Sequence, residues 1–355
     1  MLALTKISRL LVALAIFGLG VEFWARVDDY FTYRAPMLGV YNSEGLYTRD
    51  SLGRIGKPNA RYRKWRLNDL GFRGPEIVPG RVNIICFGAS ETFGLYESDG
   101  REYPRQLEEK LNSRVGKDEF QVINAAYPGE SAYTANTRAA QIVAAVHPRV
   151  ALVYPTPADY IWLPYVDASM KPPASSAPAP SPRFELRVGE RVKTLLKSVI
   201  PWSIQTRLRA GEIESSAAEF QVMDTLPTEN VRRFRDDVAT LVKTLRSLGV
   251  VPVIVTHASA FSPTPSAADR SMLIAWRKFY PMLKEDGFLD MERRMNAALR
   301  EIAAEEHVPL IDVAAVIPPT PDVFADFVHF TNRGADIMAQ KLADGLFPLL
   351  EPERR

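Results

Sequence analysis

Four loop residues of this chain carry the groups that acyl transfer needs: Ser90 in "FGASETFG", Gly129 in "NAAYPGES", and Asp326 with His329 in "DFVHFTNRG". That chemistry requires a hydroxyl, an imidazole to take its proton, a carboxylate to orient the imidazole, and N–H donors for the developing oxyanion. Ser90 follows an apolar run, so a strand-to-helix turn can expose its Oγ while its own backbone N–H becomes one donor. Gly129, with no Cβ, lets a second backbone N–H approach a substrate closely. Asp326 stands three residues before His329. One tight turn can therefore set the carboxylate on Nδ1 and leave Nε2 facing the serine. His257 also follows an apolar run and is the reserve base. His147 and His307 fall in helix-to-strand connections and read as structural.

These residues need a scaffold that gathers distant loops. Five apolar runs, "VNIICFG", "FQVIN", "RVALVYP", "VVPVIVT" and "VPLIDV", alternate with stretches of helical periodicity. The pattern predicts a three-layer α/β/α domain, flavodoxin-like, with a five-stranded, mostly parallel sheet. Sites on such sheets form beyond the carboxyl ends of the strands. Ser90, Gly129, Asp159, His257 and the Asp326–His329 pair all follow strands. The opposite edge receives His147 and His307.

The bulk properties narrow the function classes. In 355 residues, 46% are hydrophobic, 24% are charged and the formal net charge is +2. This is a globular balance without the strong basic field of a nucleic-acid binder. The single cysteine, Cys86, sits inside an apolar run and reads as a buried strand residue; Cys/His metal spacings are absent, so no metal site is expected.

The N-terminus differs. Lys6 and Arg9 precede an apolar segment from Leu10 to Ala25, and Asp28 and Asp29 follow it. As a helix, Leu10 to Ala25 spans about 24 Å, short of the roughly 30 Å hydrocarbon core. Bilayer thinning and an interfacial Trp24 can absorb the deficit. The positive charge leads, which places the body of the chain outside the cytoplasm, in the periplasm, behind an uncleaved anchor. A cleaved signal peptide is the rival. The expected organisation is an anchor over 1–26, a lead-in over 27–80, and a domain over 81–350 with an insertion at 165–227. "RLNDLGFRGPE" reads as a surface loop. "KPPASSAPAPSPR" has a composition that builds no core. The stretch from Arg191 to Arg209 mixes apolar and basic residues, suiting a membrane-surface segment, a lid or a packed helix pair.

The combination of blocks resembles the SGNH (GDSL-type) hydrolases. "FGASETFG" is similar to their G-D-S-x-T-x-G, "NAAYPGES" to the block with the oxyanion glycine, and "DFVHFTNRG" to the D-x-x-H block. The resemblance covers roughly residues 66 to 160 and 228 to 345. It implies a serine esterase or acyl-hydrolase with nucleophile Ser90, base His329 and orienting acid Asp326. The N–H groups of Ser90 and Gly129 serve as oxyanion donors, and no cofactor is needed. It also implies an acylated cell-envelope glycan or a lipid as substrate. An O-acyltransferase using the same triad is the alternative, and an inactive glycan-binding envelope protein is another.

Two positions depart from the family. Ala89 replaces the Asp of G-D-S, a turn-supporting role. In "TPAD", Thr156 replaces Gly and Ala158 replaces the Asn that donates to the oxyanion, while Asp159 is kept. Losing one such donor costs on the order of 3 kcal/mol of transition-state stabilisation. Thr156, Tyr160 and Asn136 are the candidate substitutes.

Overall fold

The structure is a computed structural model that describes residues 2–50, 52–156, 186–200, 223–262, 265–266, 273, 276–277 and 283–350. Asp159, Ala158, Tyr160 and the stretch from Lys171 to Arg183 lie outside the described residues.

The chain opens with helix α1 (Leu2–Tyr33), followed by two short hairpins, β1 (Tyr47–Asp50) with β2 (Gly53–Gly56) and β3 (Arg61–Tyr62) with β4 (Trp65–Arg66). The domain proper then alternates: β5 (Val82–Phe87), α2 (Ser90–Phe93), α3 (Tyr103–Val115), β6 (Phe120–Asn124), α4 (Ala132–Val146), β7 (Val150–Val153). After α5 (Arg187–Val199) come α6 (Thr228–Ser247), β8 (Val251–Val255), α7 (Glu285–Glu305), β9 (Leu310–Ile311) and α8 (Asn332–Leu350). The five strands β5 to β9 pair in parallel in the order β6-β5-β7-β8-β9. This is the expected three-layer α/β/α arrangement with a flavodoxin-like strand order, which reverses at β5.

The strands are continuous apolar runs because both faces are covered. Along β5, Ile85 and Phe87 enter one core with Ala135 of α4, Phe234 and Val238 of α6, and Met291 and Met295 of α7. Ile84 and Cys86 enter the other, with Leu107 and Leu111 of α3 and Met338 and Leu342 of α8. Fully burying such side chains contributes roughly 1.5–3 kcal/mol each. The alternation therefore fixes the register of β5, and with it the place where the strand must turn. Cys86 is buried, and burial pushes its thiol well above the ordinary range. It is not a reactive thiol.

Three expectations need correction. Helix α1 does not stop near Ala25 but continues to Tyr33. Glu22, Arg26 and Asp29 lie buried on its later turns. Arg26 donates to Glu22 at 2.7 Å, and the two acids are held from α5: the Glu22 carboxylate accepts the N–H groups of Arg187 (3.2 Å) and Val188 (3.1 Å), and Arg191 donates to Asp28 (2.7 Å) and Asp29 (2.6 Å). A long helix persists past the apolar segment because its polar end has a docked partner. Helix α5 accordingly begins at Arg187, ahead of the amphipathic stretch expected from Arg191, and it leaves Val192, Leu195 and Leu196 exposed. Third, "RLNDLGFRGPE" is not a surface loop: Asn68, Phe72 and Arg73 are buried. Asn68 Oδ1 accepts the N–H groups of Leu70 and Phe72, folding the loop on itself. The lead-in residues Leu46, Leu67, Tyr47 and Trp65 build a small core over Phe93.

Candidate active site

Phe87 ends β5, and three residues later α2 begins at Ser90. Gly88 has no substitute in this turn: a Cβ there would stand 2.1 Å from Thr92 Oγ1 and 3.1 Å from Tyr154 O. Ala89, at the position of the family's Asp, is buried. The far end of the turn is clamped from the lead-in. Buried Arg73 donates to the backbone oxygens of Phe93 and Gly94 and pairs with Glu102 at 2.9 Å. Trp65 Nε1 also donates to Gly94 O, at 3.3 Å. Sequence reading passed over Arg73, although its basic character in a Gly-rich loop was a signal.

The Asp326–His329 turn is self-organised. Asp326 Oδ1 accepts the N–H groups of Val328 (3.0 Å) and His329 (2.8 Å), and Asp326 Oδ2 lies 2.8 Å from His329 Nδ1. Burial raises the Asp326 carboxyl, but these donors and the His329 charge outweigh it and hold the carboxyl below its ordinary range. For His329, burial opposes the charge. Asp326 first, then Glu91 and Glu97, overcome it and raise the imidazole above its usual 6.5. Thr331 Oγ1 accepts the N–H of Gly334 at 3.1 Å, capping α8. Asn332 joins this turn to the loop after α2: its Oδ1 accepts the N–H of Ser98 (2.7 Å) and its Nδ2 donates to Ser98 Oγ (2.9 Å). Tyr96 of the same loop lays its ring 5.2 Å from that of His329.

Gly129 occupies a tight turn after β6, with φ of +82° and a 3.0 Å bond from Glu130 N to Tyr127 O. Proline before a glycine of positive φ is the signature of a type II turn. A Cβ at Gly129 would meet nothing within 4 Å. The turn, rather than crowding, requires the glycine. Thr156 is buried after β7, and Asn136 is half-buried on α4 with an Oδ1 that has no partner among the described residues. His147 caps α4 at φ +47° and His307 follows α7 at φ +51°, both on the opposite edge.

No hydrogen bond joins Ser90 to His329. Ser90 Oγ donates to Glu91 Oε2 at 3.1 Å. His329 Nε2 is buried without a hydrogen-bond partner among the described residues. The Glu91 carboxylate is itself buried, and its other oxygen lies 3.7 Å from His257 Nε2, an ion-pair distance rather than a hydrogen bond. His257 Nδ1 in turn is 2.9 Å from Glu292 Oε2. Asn296 grips the His257 backbone on both sides, accepting its N–H at 2.7 Å and donating to its carbonyl at 2.9 Å. Tyr154 stacks on the ring at 5.5 Å. Burial disfavours the charge on His257, yet Glu292 and Glu91 together push its pKa up to about 9. Burial would raise Glu91, but the His257 and His329 charges hold its carboxyl below the ordinary range. Nearby Glu97, buried and close to Arg73 and His329, is pushed up to about 7 by burial. The sequence signal for Glu91 was a carboxylate directly after the serine. Its partners His257 and Glu292 are too distant in sequence for spacing to connect them.

No protein-family model and no curated protein matches this chain. Among solved structures, it is similar to a lipase/acylhydrolase from Enterococcus faecalis, with 14% identity and a TM-score of 0.46 over 77% of this chain and 100% of that one. It is also similar to the psychrotrophic esterase EstA from Pseudoalteromonas sp., with 11% identity and a TM-score of 0.41 over 76% of this chain and 98% of that one. A GDSL-like lipase from Bacteroides thetaiotaomicron gives 12% identity and a TM-score of 0.42, over 78% and 93%. These likenesses are distant, and the chemistry of the site rests on its own residues.

Proposed function

We propose that the chain is a membrane-anchored, extracytoplasmic serine esterase or acyl-hydrolase acting on an O-acyl ester of a cell-envelope glycan or a lipid. The observation that carries this reading is the 2.8 Å Asp326–His329 contact, on a turn that Asn332 binds to the loop following Ser90. His329 accepts the Ser90 proton at Nε2 as Oγ bonds to the ester carbonyl carbon. The carbonyl oxygen becomes an oxyanion, met by the N–H groups of Ser90 and Gly129. The carbon–oxygen bond to the leaving alcohol then breaks, and His329 returns the proton to that oxygen. Water repeats the sequence on the acyl-serine: it loses its proton to His329, and the acid leaves as Ser90 regains its hydrogen. Asp326 holds Nδ1 throughout and favours the imidazolium. A sugar hydroxyl in place of that water makes the same residues an acyltransferase, since exclusion of water decides the acceptor.

The anchor reading draws on Ser8–Tyr33, the one helix among the described residues long and apolar enough to cross a membrane. Lys6 and Arg9 precede the apolar segment, which favours an extracytoplasmic domain.

A second reading has one observation in its favour. Ser90 rests on Glu91, not on His329, and Ala158 stands where an Asn donor is expected. A silent glycan-binding envelope protein would tolerate both. A fluorophosphonate probe separates the two. Labelling of the full chain that disappears in Ser90→Ala supports the enzyme, and absence of any Ser90-dependent adduct overturns it. Hydrolysis of a p-nitrophenyl ester series then reads acyl length, with and without a glycan acceptor.

A further inference from the structure

A carboxylate in the first turn after a nucleophile is an expensive choice. Burying it without compensation costs several kcal/mol, and an apolar residue would fill the space more cheaply. The compensation built around Glu91 is specific. One oxygen receives the Ser90 hydroxyl at 3.1 Å, and the other faces His257 at 3.7 Å. His257 is fixed by Glu292 through Nδ1, by Asn296 through its backbone, and by Tyr154 against its ring. The residues of that scaffold follow β7 and β8 or lie on α7, elements that the sheet order already sets beside the serine turn.

We infer that Glu91 is a positioning residue for the nucleophile: its carboxylate seats the Ser90 hydroxyl, and His257, fixed by Glu292, fixes the carboxylate. This rests on the esterase reading above. The seat defines where Oγ stands before substrate arrives. Reaction begins when the hydroxyl hydrogen turns from Glu91 to His329 Nε2, which has no hydrogen-bond partner among the described residues. The groups facing Glu91 are His257 with Glu292 behind it, His329 with Asp326 behind it, and the phenols of Tyr103 and Tyr154. His329 is faced in turn by Asp326, Glu91 and Glu97. Glu91 thus also favours the imidazolium that forms on proton transfer, and His257 balances the carboxylate so that its charge does not fall wholly on the oxyanion.

The test uses the full chain and p-nitrophenyl acetate. Glu91→Gln is expected to lower kcat roughly tenfold with little change in KM, as loss of pre-set geometry does. It also moves the acid limb of the kcat/KM profile to lower pH, because a negative charge near His329 is gone. Glu91→Asp keeps the charge but withdraws it from the serine, so kcat falls while the limb stays. His257→Gln lowers kcat similarly, and Glu91→Gln with His257→Gln is no worse than Glu91→Gln alone, the non-additivity of one connected unit. Ser90→Ala reads the same contact without altering Glu91. Stripping a donor from a buried carboxylate lowers the unfolding midpoint by about 2–4 °C. Wild-type kcat and pH limb in both Glu91 variants, or an unchanged or raised midpoint in Ser90→Ala, overturns the inference. A wild-type chain that takes no Ser90-dependent fluorophosphonate label removes the esterase reading and this one together. Labelling that is lost in Ser90→Ala but proceeds at the wild-type rate in Glu91→Gln removes only this one.

Discussion

Two histidines at the same sheet edge are built alike and placed differently. Each offers Nδ1 to a carboxylate, His329 to Asp326 at 2.8 Å and His257 to Glu292 at 2.9 Å. The side chain of His329 is 13% exposed, on a turn that its own Asp organises, whereas that of His257 is 0% exposed between two carboxylates. A catalytic base must lose and regain a proton while a substrate stands beside it, and a partly exposed side chain permits this. A fully enclosed imidazole pushed up to about pKa 9 holds its proton and acts as a fixed cation. Imidazole–carboxylate pairing is therefore common to both histidines, and what separates them is exposure.

The strongest way to break this comparison is to exchange the consequences. His329→Ala should reduce ester turnover about a thousandfold or more while leaving the unfolding midpoint near wild type. Asp326→Asn should cost nearly as much, because the amide no longer favours the right tautomer or the imidazolium; single-turnover acylation measures it. His257→Leu should do the reverse in stability terms, lowering unfolding free energy by about 3 kcal/mol or more by leaving Glu91 and Glu292 buried without their cation. Urea denaturation reads that loss, and a variant as stable as wild type would deny His257 its charged role.

Two pH experiments sharpen the contrast. His257 gains protons on folding, since its pKa rises from 6.5 to about 9. Its contribution to stability is complete below pH 6.5 and disappears as the pH climbs through about 9. The unfolding midpoint should therefore fall over that alkaline window, and the fall should flatten in His257→Leu. His329 is raised above 6.5 as well, but in the proposed mechanism it is the neutral form that accepts the serine proton. The acid limb of kcat/KM should lie above pH 6.5, the opposite dependence from the stability term. The smallest effect expected is at Asn332. Replacing it by Ala removes two hydrogen bonds to Ser98 and should cost about 1 kcal/mol and a few-fold in kcat, by loosening the two loops against each other.

Much of the scaffold was legible in the chain itself. Apolar runs too short for helices, separated by amphipathic helices, dictate a covered parallel sheet, and the five runs match β5 to β9. Gly129, Asp326 and His329 were legible because their geometry is local: a Pro-Gly turn, and a carboxylate three residues before an imidazole. The end of α1 at Tyr33 was not legible, because what sustains its last turns is a set of arginines more than 150 residues away. The burial of Arg73 escaped because its partners, Phe93, Gly94 and Glu102, also lie outside its own loop. Turn-forming residues look alike in sequence whether they face water or clamp a neighbouring loop.

The sequence by itself determined the strands, their order of appearance, and a serine, a glycine and an Asp–His turn at the ends of three of them, since backbone periodicity and turn chemistry act over a few residues. Only the tertiary structure decided that the serine hydroxyl rests on Glu91, and that Glu91 shares its edge with His257 and Glu292. Those contacts join the turn after β5, the residues after β8 and helix α7, spanning Glu91 to Glu292. Coulomb interactions in a buried site depend on distance in space, which separation along the chain does not reveal.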